Sequence, residues 1–347
     1  MVNSLRIRAV AAGAALLALV LLLAACGEKS EDVGGGAKQP FSLTLDFYPN
    51  PDHAGIYLAQ KLGYFEEAGL DVTIAAPSDP SAPIKLAAAG QTDLAISYQP
   101  EVALARDKGL DVVAVGALVD RPLTSMIWLK KSGVKGIADL RGKTIATAGI
   151  PYQDAFLKTI LARAKLTPDD VKSVNVGFGL LPALIGGSAQ AMLGGYSNVE
   201  GVDLAQRGKD PVVTPVDRLG VPTYDELVLV AGRKKMDEDP EALHLFIAAL
   251  ERGTRAAVED PKAATKAILE ANHDLEPRLT EAEVKATLPL LAPPAASESG
   301  DGRPYGYMDP AAWVRFAGWM RDNGLIESLP SDSELLTNAY LSGEIPE

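Results

Sequence analysis

The sequence predicts an α/β fold built from two units and a helical tail. From residue 41 onward, short apolar runs alternate with segments of helical periodicity, as expected for strands and helices that build a largely parallel sheet. The alternation starts again after Lys131, and the chain after Lys234 is almost wholly helical in pattern. Roughly 300 residues are more than one hydrophobic core usually serves, so we expect two lobes.

In the first unit, short apolar runs predict buried strands at residues 42–47, 72–76, 94–97, 112–118 and 125–130. Helical patterns lie between these strands at residues 54–65, 82–89 and 100–108. Such helices cross over one face of a sheet and return the chain to the start of the next strand.

The second unit repeats this arrangement. Strands are predicted at residues 144–148, 173–176, 189–193, 212–216 and 226–231. Helices are predicted at residues 152–165, 181–185 and 199–207, and Pro151 stands near the first turn of the first of them.

The tail has helical spacing at residues 240–258, 261–271, 280–290 and 310–323, with an exposed loop at 293–302. A tail without its own sheet is expected to pack on the first unit, so the chain crosses between lobes near Met126–Trp128 and Tyr224–Leu227. We therefore assign residues 41–127 and 227–347 to lobe 1 and residues 128–226 to lobe 2. Two lobes joined by such a hinge form a natural ligand trap.

The beginning of the chain reads as an export signal. Arg6 and Arg8 precede an uncharged apolar stretch that is shorter than the ~20 residues a membrane-spanning helix needs. Leu23-Ala24-Ala25-Cys26 resembles the lipobox of bacterial lipoproteins, which implies removal of residues 1–25 and acylation of Cys26; a plain secretory signal is the alternative. Residues 26–40 then form a polar, glycine-rich tether. We expect an extracytoplasmic protein anchored by lipid to the outer face of the cell membrane.

Cys26 is the single cysteine of the chain, so the mature protein would have no disulfide and no thiolate metal site. Removing the signal with Arg6 and Arg8 would take the net charge from −12 to −14. An acidic surface argues against a nucleic-acid partner, because phosphate binding requires a basic patch.

The densest cluster of polar and aromatic residues is 45–55, Leu-Asp-Phe-Tyr-Pro-Asn-Pro-Asp-His-Ala-Gly. It follows the first predicted strand and opens the first helix, and in open α/β sheets ligands bind at this edge. Asn50, Asp52 and His53 offer side-chain hydrogen bonds there. A capped helix start, with Asp52 as the cap, explains the same residues without a ligand.

Residues 46–57 resemble the opening of extracytoplasmic solute-binding proteins of the thiamine-pyrimidine branch, which serve ABC importers. Further matching segments extend to about residue 232, at 63–65, 69–72, 97–101, 138–143, 149–151, 196–200 and 220–227. The resemblance implies a two-lobed type II periplasmic-binding-protein fold. It also implies partnership with a permease and an ATPase, and a monomer that captures a small molecule without cofactor or metal.

The ligand that the resemblance implies is a substituted 4-amino-2-methylpyrimidine, such as hydroxymethylpyrimidine or formylamino-aminomethylpyrimidine. Aromatic rings stack on such a heterocycle and carboxylates accept from its amine. The matched segments supply candidates for both tasks, with Glu200 as the first choice for the amine and Asn50 and His53 for the substituent. The predicted ligand-binding residues are Tyr48, Asn50, His53, Tyr98, Glu101, Tyr196, Asn198, Glu200, Tyr224 and Glu226.

Other ligands and an enzymatic role remain open alternatives. Riboflavin would also stack on tyrosines, whereas alkylsulfonate or nitrate would be repelled by the carboxylates. Fungal thiamine-pyrimidine synthases share the superfamily and use pyridoxal phosphate and iron. They carry a cysteine-rich motif, while Cys26 here is taken by the predicted anchor. We therefore predict a binding protein and not an enzyme.

Overall fold

A computed structural model describes residues 38–291 and 303–343. The predicted signal, Cys26, most of the tether and the loop at 293–302 lie outside the described residues. Within them, ten strands form two five-stranded sheets. The first sheet has the order β2-β1-β3-β10-β4, with β1 at Gln39–Thr44, β2 at Leu70–Ala75, β3 at Leu94–Ser97, β4 at Val112–Val119 and β10 at Leu227–Gly232.

The second sheet repeats the layout of the first in the order β7-β6-β8-β5-β9. Its strands are β5 at Thr124–Leu129, β6 at Thr144–Thr147, β7 at Lys172–Asn175, β8 at Ala191–Tyr196 and β9 at Pro211–Pro215. We call each sheet with the helices packed on it a lobe.

Both sheets are mixed rather than largely parallel. β10 runs antiparallel to β3 and β4, and β5 runs antiparallel to β8 and β9. Each of these strands is the first that the chain makes after it enters a lobe. It starts from the edge where the parallel strands end, so it must run in the opposite direction.

The helices lie close to their predicted positions. In the first lobe they are α1 at Ala54–Lys61, α2 at Tyr64–Glu67, α3 at Ala82–Ala88 and α4 at Gln99–Asp107. In the second they are α5 at Tyr152–Ala162, α6 at Leu180–Ile185 and α7 at Glu200–Gln206. The remaining helices are α8 at Arg233–Glu238, α9 at Pro240–Glu259, α10 at Pro261–Ala271, α11 at Pro277–Thr287, α12 at Pro310–Asp322 and α13 at Asp332–Leu335.

The tail packs on the first lobe. Helix α9 crosses α1 at Gly253 and Gly55. A Cβ on Gly253 would lie 2.3 Å from the carbonyl oxygen of Gly55, so these two glycines allow the helix backbones to touch. Helices α12 and α13 cover α4, and α11 also contacts α7 of the second lobe. The tail therefore reaches both sides of the space between the lobes.

The chain passes between the lobes at residues 120–123 and again just before β10. The predicted first crossing, at Met126–Trp128, lies inside β5, which pairs with β8 and β9. A boundary after residue 127 would therefore cut a strand. The six residues of β5 are all buried between β8 and β9, whereas Asp120 and Arg121 are exposed, so the crossing is the polar segment before the strand.

Candidate functional site

A cavity lies between the two sheets, at the ends of β1, β3, β6 and β8 where polar loops converge. It encloses about 600 Å³ including its opening to solvent. Five aromatic rings line it, from Phe47, Tyr98, Tyr152, Phe178 and Tyr196. Three carboxyl groups also line it, from Asp46, Asp52 and Glu200, and no lysine or arginine does so among the residues that the structure describes.

The rings come from both lobes and meet across the cavity. Phe47 follows β1, and its ring centroid lies 4.5 Å from that of Phe178, which follows β7. Tyr98 precedes α4, and its ring lies 6.0 Å from that of Tyr152 at the start of α5. Both pairs are edge-to-face, a favourable arrangement of two ring quadrupoles. The lobes are therefore closed on one another around the cavity.

Asp46 is held in place at the end of β1 by two side chains. Its carboxylate accepts a hydrogen bond from the Tyr98 hydroxyl at 3.1 Å and another from Nε2 of His53 at 2.9 Å. His53 Nδ1 accepts from the backbone N–H of Asn50 at 3.2 Å, so the proton of the neutral ring lies on Nε2. These contacts fix the orientation of an acidic group on the cavity wall.

Asn50 caps the turn that leads into α1. Its side-chain oxygen accepts from the backbone N–H of Asp52 at 2.8 Å, and its amide donates to the carbonyl of Tyr48 at 3.1 Å. Both contacts belong to the local turn, as in an ordinary capped helix start. Asn50 still borders the cavity and presents this rigid turn to it.

Glu200 lies at the first position of α7, and its carboxylate accepts from the backbone N–H of Tyr196 at 2.7 Å. Burial raises the pKa of Glu200, while that hydrogen bond opposes the shift. A carboxyl group held half-buried beside a tyrosine ring can accept hydrogen bonds from a planar ligand that lies on the ring.

Gln153 adds a polar side chain to the cavity wall, and the backbone of β8 passes unusually close to its amide group. Its side-chain oxygen accepts from the N–H of Ala148 at 3.0 Å. Gly194 has φ +112°, and a Cβ there would lie 2.5 Å from Nε2 of Gln153. Only glycine allows β8 to come this close to the amide.

The structure brings together four of the ten predicted binding residues at the cavity surface, namely Asn50, Tyr98, Tyr196 and Glu200. Tyr48 instead has 49% of its surface exposed and lies outside the cavity, in edge contact with Phe47 and Phe178. His53 is fully buried behind the cavity wall, with both ring nitrogens engaged.

The other four predicted residues are buried away from the cavity surface. Glu101 accepts from the Ser97 hydroxyl at 2.7 Å. Tyr224 donates to Glu226 at 2.9 Å in the segment that enters β10. Asn198 joins the lobes through Asp52.

Among the aromatic and acidic lining residues, sequence reasoning missed five: Asp46, Phe47, Asp52, Tyr152 and Phe178. Asp46, Phe47 and Asp52 belong to the cluster after the first strand, and Tyr152 opens the helix after β6, so the rule that ligands bind at strand ends could have found them. Phe178 follows a short exposed strand and carries no such signal.

Residues 38–291 and 303–343 contain neither a metal centre nor a helix that could span a membrane. They contain no group of three or more histidine, cysteine, aspartate or glutamate side chains placed to hold a metal ion. No helix in these ranges combines the length and the apolar character required to cross a bilayer.

Comparison with known proteins agrees with this architecture. The profile of the family described as NMT1/THI5 like matches residues 50–264. A Haemophilus influenzae protein whose name assigns it to thiamine biosynthesis is 37% identical over 84% of this chain and 89% of its own. The formylaminopyrimidine-binding protein of Halalkalibacterium halodurans is 36% identical over 90% of this chain and 93% of its own.

More distant relatives include the 4-amino-5-hydroxymethyl-2-methylpyrimidine phosphate synthase of Aspergillus parasiticus, 29% identical over 64% of this chain and 68% of its own. Among solved structures, the alkanesulfonate-binding protein SsuA of Xanthomonas axonopodis superposes with a TM-score of 0.65 at 17% identity, over 86% of this chain and 96% of its own. The fold is thus the two-lobed α/β fold of periplasmic binding proteins, as predicted. The chain belongs to the NMT1/THI5-like family.

Proposed function

We propose that this protein is the ligand-capturing component of an ABC importer and that its cargo is a 4-aminopyrimidine precursor of thiamine. The observation that carries the proposal is the lining of the cavity between the lobes. It combines five aromatic rings with three carboxyl groups, and among the described lining residues none is basic.

This lining complements an aminopyrimidine in shape and in hydrogen bonding. A flat heterocycle lies against ring faces, and each such contact contributes about 0.5–1.5 kcal/mol beyond the burial of area. Its exocyclic amine donates to a carboxylate, and we assign this role to Glu200, which lies four residues after the Tyr196 ring. A sulfonate or nitrate would instead meet carboxylates at short range, which disfavours anionic cargo.

The relatives support the same cargo class. The formylaminopyrimidine-binding protein of H. halodurans aligns with nearly the whole chain, so the cargo implied by its name is the natural first candidate here. Riboflavin stays an outcome of the test, since it would stack on the same rings.

The cavity lining and the contacts of His53 favour a binding role over a synthase role. A Schiff-base cofactor requires a lysine at the site, and the described part of the cavity lining contains none. His53, the histidine nearest to the cavity, uses both ring nitrogens within the protein. We therefore assign ligand capture without catalysis.

The proposed location is the outer face of the cell membrane, through a lipidated Cys26 and a short tether. The mature protein would work as a monomer that closes on its ligand and docks on a permease, which an ATPase drives. In cells that express the full chain, Cys26→Ser is expected to release the protein from the membrane fraction into the extracytoplasmic fluid. Retention of that variant in the membrane would contradict the anchor.

Calorimetry tests the cargo directly. The mature chain with Cys26→Ser is unfolded and refolded to remove carried ligand, and is then titrated with hydroxymethylpyrimidine, formylamino-aminomethylpyrimidine, thiamine, riboflavin and taurine. We expect micromolar or tighter binding of a pyrimidine, which corresponds to roughly −8 kcal/mol or better. Binding of riboflavin or taurine alone would overturn the pyrimidine assignment.

Variants then test the site. Glu200→Gln is expected to weaken pyrimidine binding about 10- to 100-fold, the loss of a hydrogen bond to a charged group of roughly 1.5–3 kcal/mol. Glu251→Gln is the matched control, because Glu251 is a partly buried carboxyl on α9 that pairs with Arg255 and lies outside the cavity. Equal affinities of the two variants would exclude Glu200 as the acceptor.

A further inference from the structure

The two lobes are joined by a hydrogen bond between Asp52 and Asn198. Asp52 lies in the turn after β1 of the first lobe, and Asn198 lies in the loop after β8 of the second. Nδ2 of Asn198 donates to Oδ1 of Asp52 at 2.6 Å and to the hydroxyl of Thr287, at the end of α11, at 2.8 Å. Both Asp52 and Asn198 are almost wholly buried, with 4% and 2% of their surface exposed.

The other oxygen of each side chain has no hydrogen-bond partner among the described residues. These atoms are Oδ2 of Asp52 and Oδ1 of Asn198. An ionised carboxylate and an amide oxygen both accept, so neither can satisfy the other. A buried acceptor without a donor costs about 1–3 kcal/mol, and an ionised one costs more. One proton on Asp52 would supply the missing donor.

The electrostatic surroundings also favour the protonated acid. The groups that act on Asp52 are all acidic: Asp46 from the end of β1, Glu200 from α7, Glu226 from the segment before β10, and Glu283 from α11. Nε2 of the neighbouring His53 donates a hydrogen bond to Asp46, and Arg207, just after α7, pairs with Asp203. Burial, opposed in part by the Asn198 hydrogen bond, raises the pKa of Asp52 to about 8.

We propose that Asp52 is protonated when the lobes are closed and forms with Asn198 a cyclic carboxylic acid–amide pair that latches them together. In this pair, Oδ2–H of Asp52 donates to Oδ1 of Asn198, and Nδ2–H of Asn198 donates to Oδ1 of Asp52. Opening hydrates Asp52, which then releases the proton to water. Closure therefore takes up one proton, a property that goes beyond ligand capture and requires no particular cargo.

Proton uptake makes closure depend on pH. Between the ordinary pKa of an exposed aspartate, near 4, and the pKa in the closed state, the ratio of closed to open protein falls about tenfold for each unit rise in pH. Acidic surroundings outside the cell would favour the closed, loaded protein. Near neutral pH the latch would weaken and ease release.

Single-molecule energy transfer on ligand-free protein tests the latch. Dyes are placed at Thr73→Cys in β2 and Ser173→Cys in β7, two exposed strand positions in different lobes, in the mature chain with Cys26→Ser. We expect the ratio of closed to open molecules to fall about tenfold per unit between pH 6 and pH 7. Because no ligand is present, this result is independent of the proposed cargo.

Two substitutions at Asp52 separate the latch from a structural role. Asp52→Asn supplies an N–H in place of the acid O–H, so it is expected to keep the lobes closed and to abolish the pH dependence. Asp52→Ala is expected to favour the open form at both pH values, with circular dichroism confirming that it folds.

Either of two results would overturn the proposal. The first is a ratio of closed to open molecules that depends on pH as strongly in Asp52→Asn as in the parent protein. The second is loss of pyrimidine binding in Asp52→Asn while the lobe distance and its pH dependence stay those of the parent, which would make Asp52 a ligand acceptor instead of a latch.

Discussion

Glu226 accepts hydrogen bonds from both the backbone N–H and the hydroxyl of Thr124, at 2.8 and 2.9 Å. Glu226 stands just before β10, the first strand after the return to lobe 1, and Thr124 begins β5, the first strand of lobe 2. The N–H of Leu123 and the hydroxyl of Tyr224 donate to the same carboxylate. One buried side chain thus joins the two segments that connect the lobes, and it lies outside the cavity lining.

Removal of this carboxylate is expected to destabilise the protein strongly. Glu226→Ala leaves two backbone N–H groups and two hydroxyls without an acceptor in a fully buried place, which costs about 3–5 kcal/mol. Chemical denaturation measures the loss. Glu251→Ala is the control, because its carboxylate pairs with Arg255 one turn along α9, and the loss of this pair should cost about 1 kcal/mol or less. Similar losses in both variants would contradict the hinge role.

Phe178, and not Tyr48, is expected to contribute to ligand affinity. Both rings contact Phe47, but Phe178 lines the cavity while Tyr48 is half exposed outside it. Phe178→Ala should weaken pyrimidine binding about fivefold, the loss of one aromatic contact of roughly 1 kcal/mol. Tyr48→Ala should change the dissociation constant less than about twofold. Calorimetry measures the dissociation constant of each variant. A larger loss of affinity in Tyr48→Ala than in Phe178→Ala would support the sequence-based assignment of Tyr48 to the ligand site.

Gly194 in β8 is expected to resist substitution because a positive φ and a close neighbouring side chain combine there. Gly194→Ala forces a Cβ to within 2.5 Å of Nε2 of Gln153 and so displaces a cavity side chain. Gly187→Ala is the matched control, since it also has positive φ but meets no atom within 4 Å. Both should lose about 1 kcal/mol through backbone strain. Only Gly194→Ala should lose pyrimidine affinity as well, and a similar loss in Gly187→Ala would refute the packing argument.

Thermal stability is expected to decrease from pH 5 to pH 8. Burial raises the pKa of Glu101 and Glu226 to about 7 and that of Asp52 to about 8. The folded protein therefore holds these protons over a range in which the unfolded chain has released them. Their contribution is complete below the unfolded pKa near 4 and is lost as the pH rises through 7 to 8.

Melting curves at one-unit steps of pH test this expectation. Glu101→Gln is the informative variant, because it replaces an acid that accepts from Ser97 and lies away from both cavity and hinge. It should flatten the decrease in melting temperature between pH 5 and pH 8. A melting temperature that rises over this interval would contradict the assigned direction of the pKa shifts.

Much of the fold was accessible from the sequence because periodicity reports burial. The strand at Leu94–Ser97 and the helix at Pro261–Ala271 have the predicted limits, and most other elements agree within a few residues. The directions of β5 and β10 were not accessible, since an apolar run predicts a buried strand but carries no sign of its direction. The first crossing was misplaced for the same reason, because Met126–Trp128 is equally apolar in a connecting segment or in a central strand.

The amino-acid sequence by itself determined the α/β class, the two units, the packing of the tail and the edge at which polar loops gather. Local spacing of apolar residues encodes the helices and strands, and their order along the chain limits how they can pack. Only the tertiary structure decided which side chains of those loops face the cavity. Tyr48 and Phe47 are adjacent and both contact Phe178 of the opposite lobe, yet only Phe47 lines the cavity, while Tyr48 is half exposed. The meeting of Asp52 with Asn198, 146 positions apart, likewise depends on closure of two lobes, which no local pattern records.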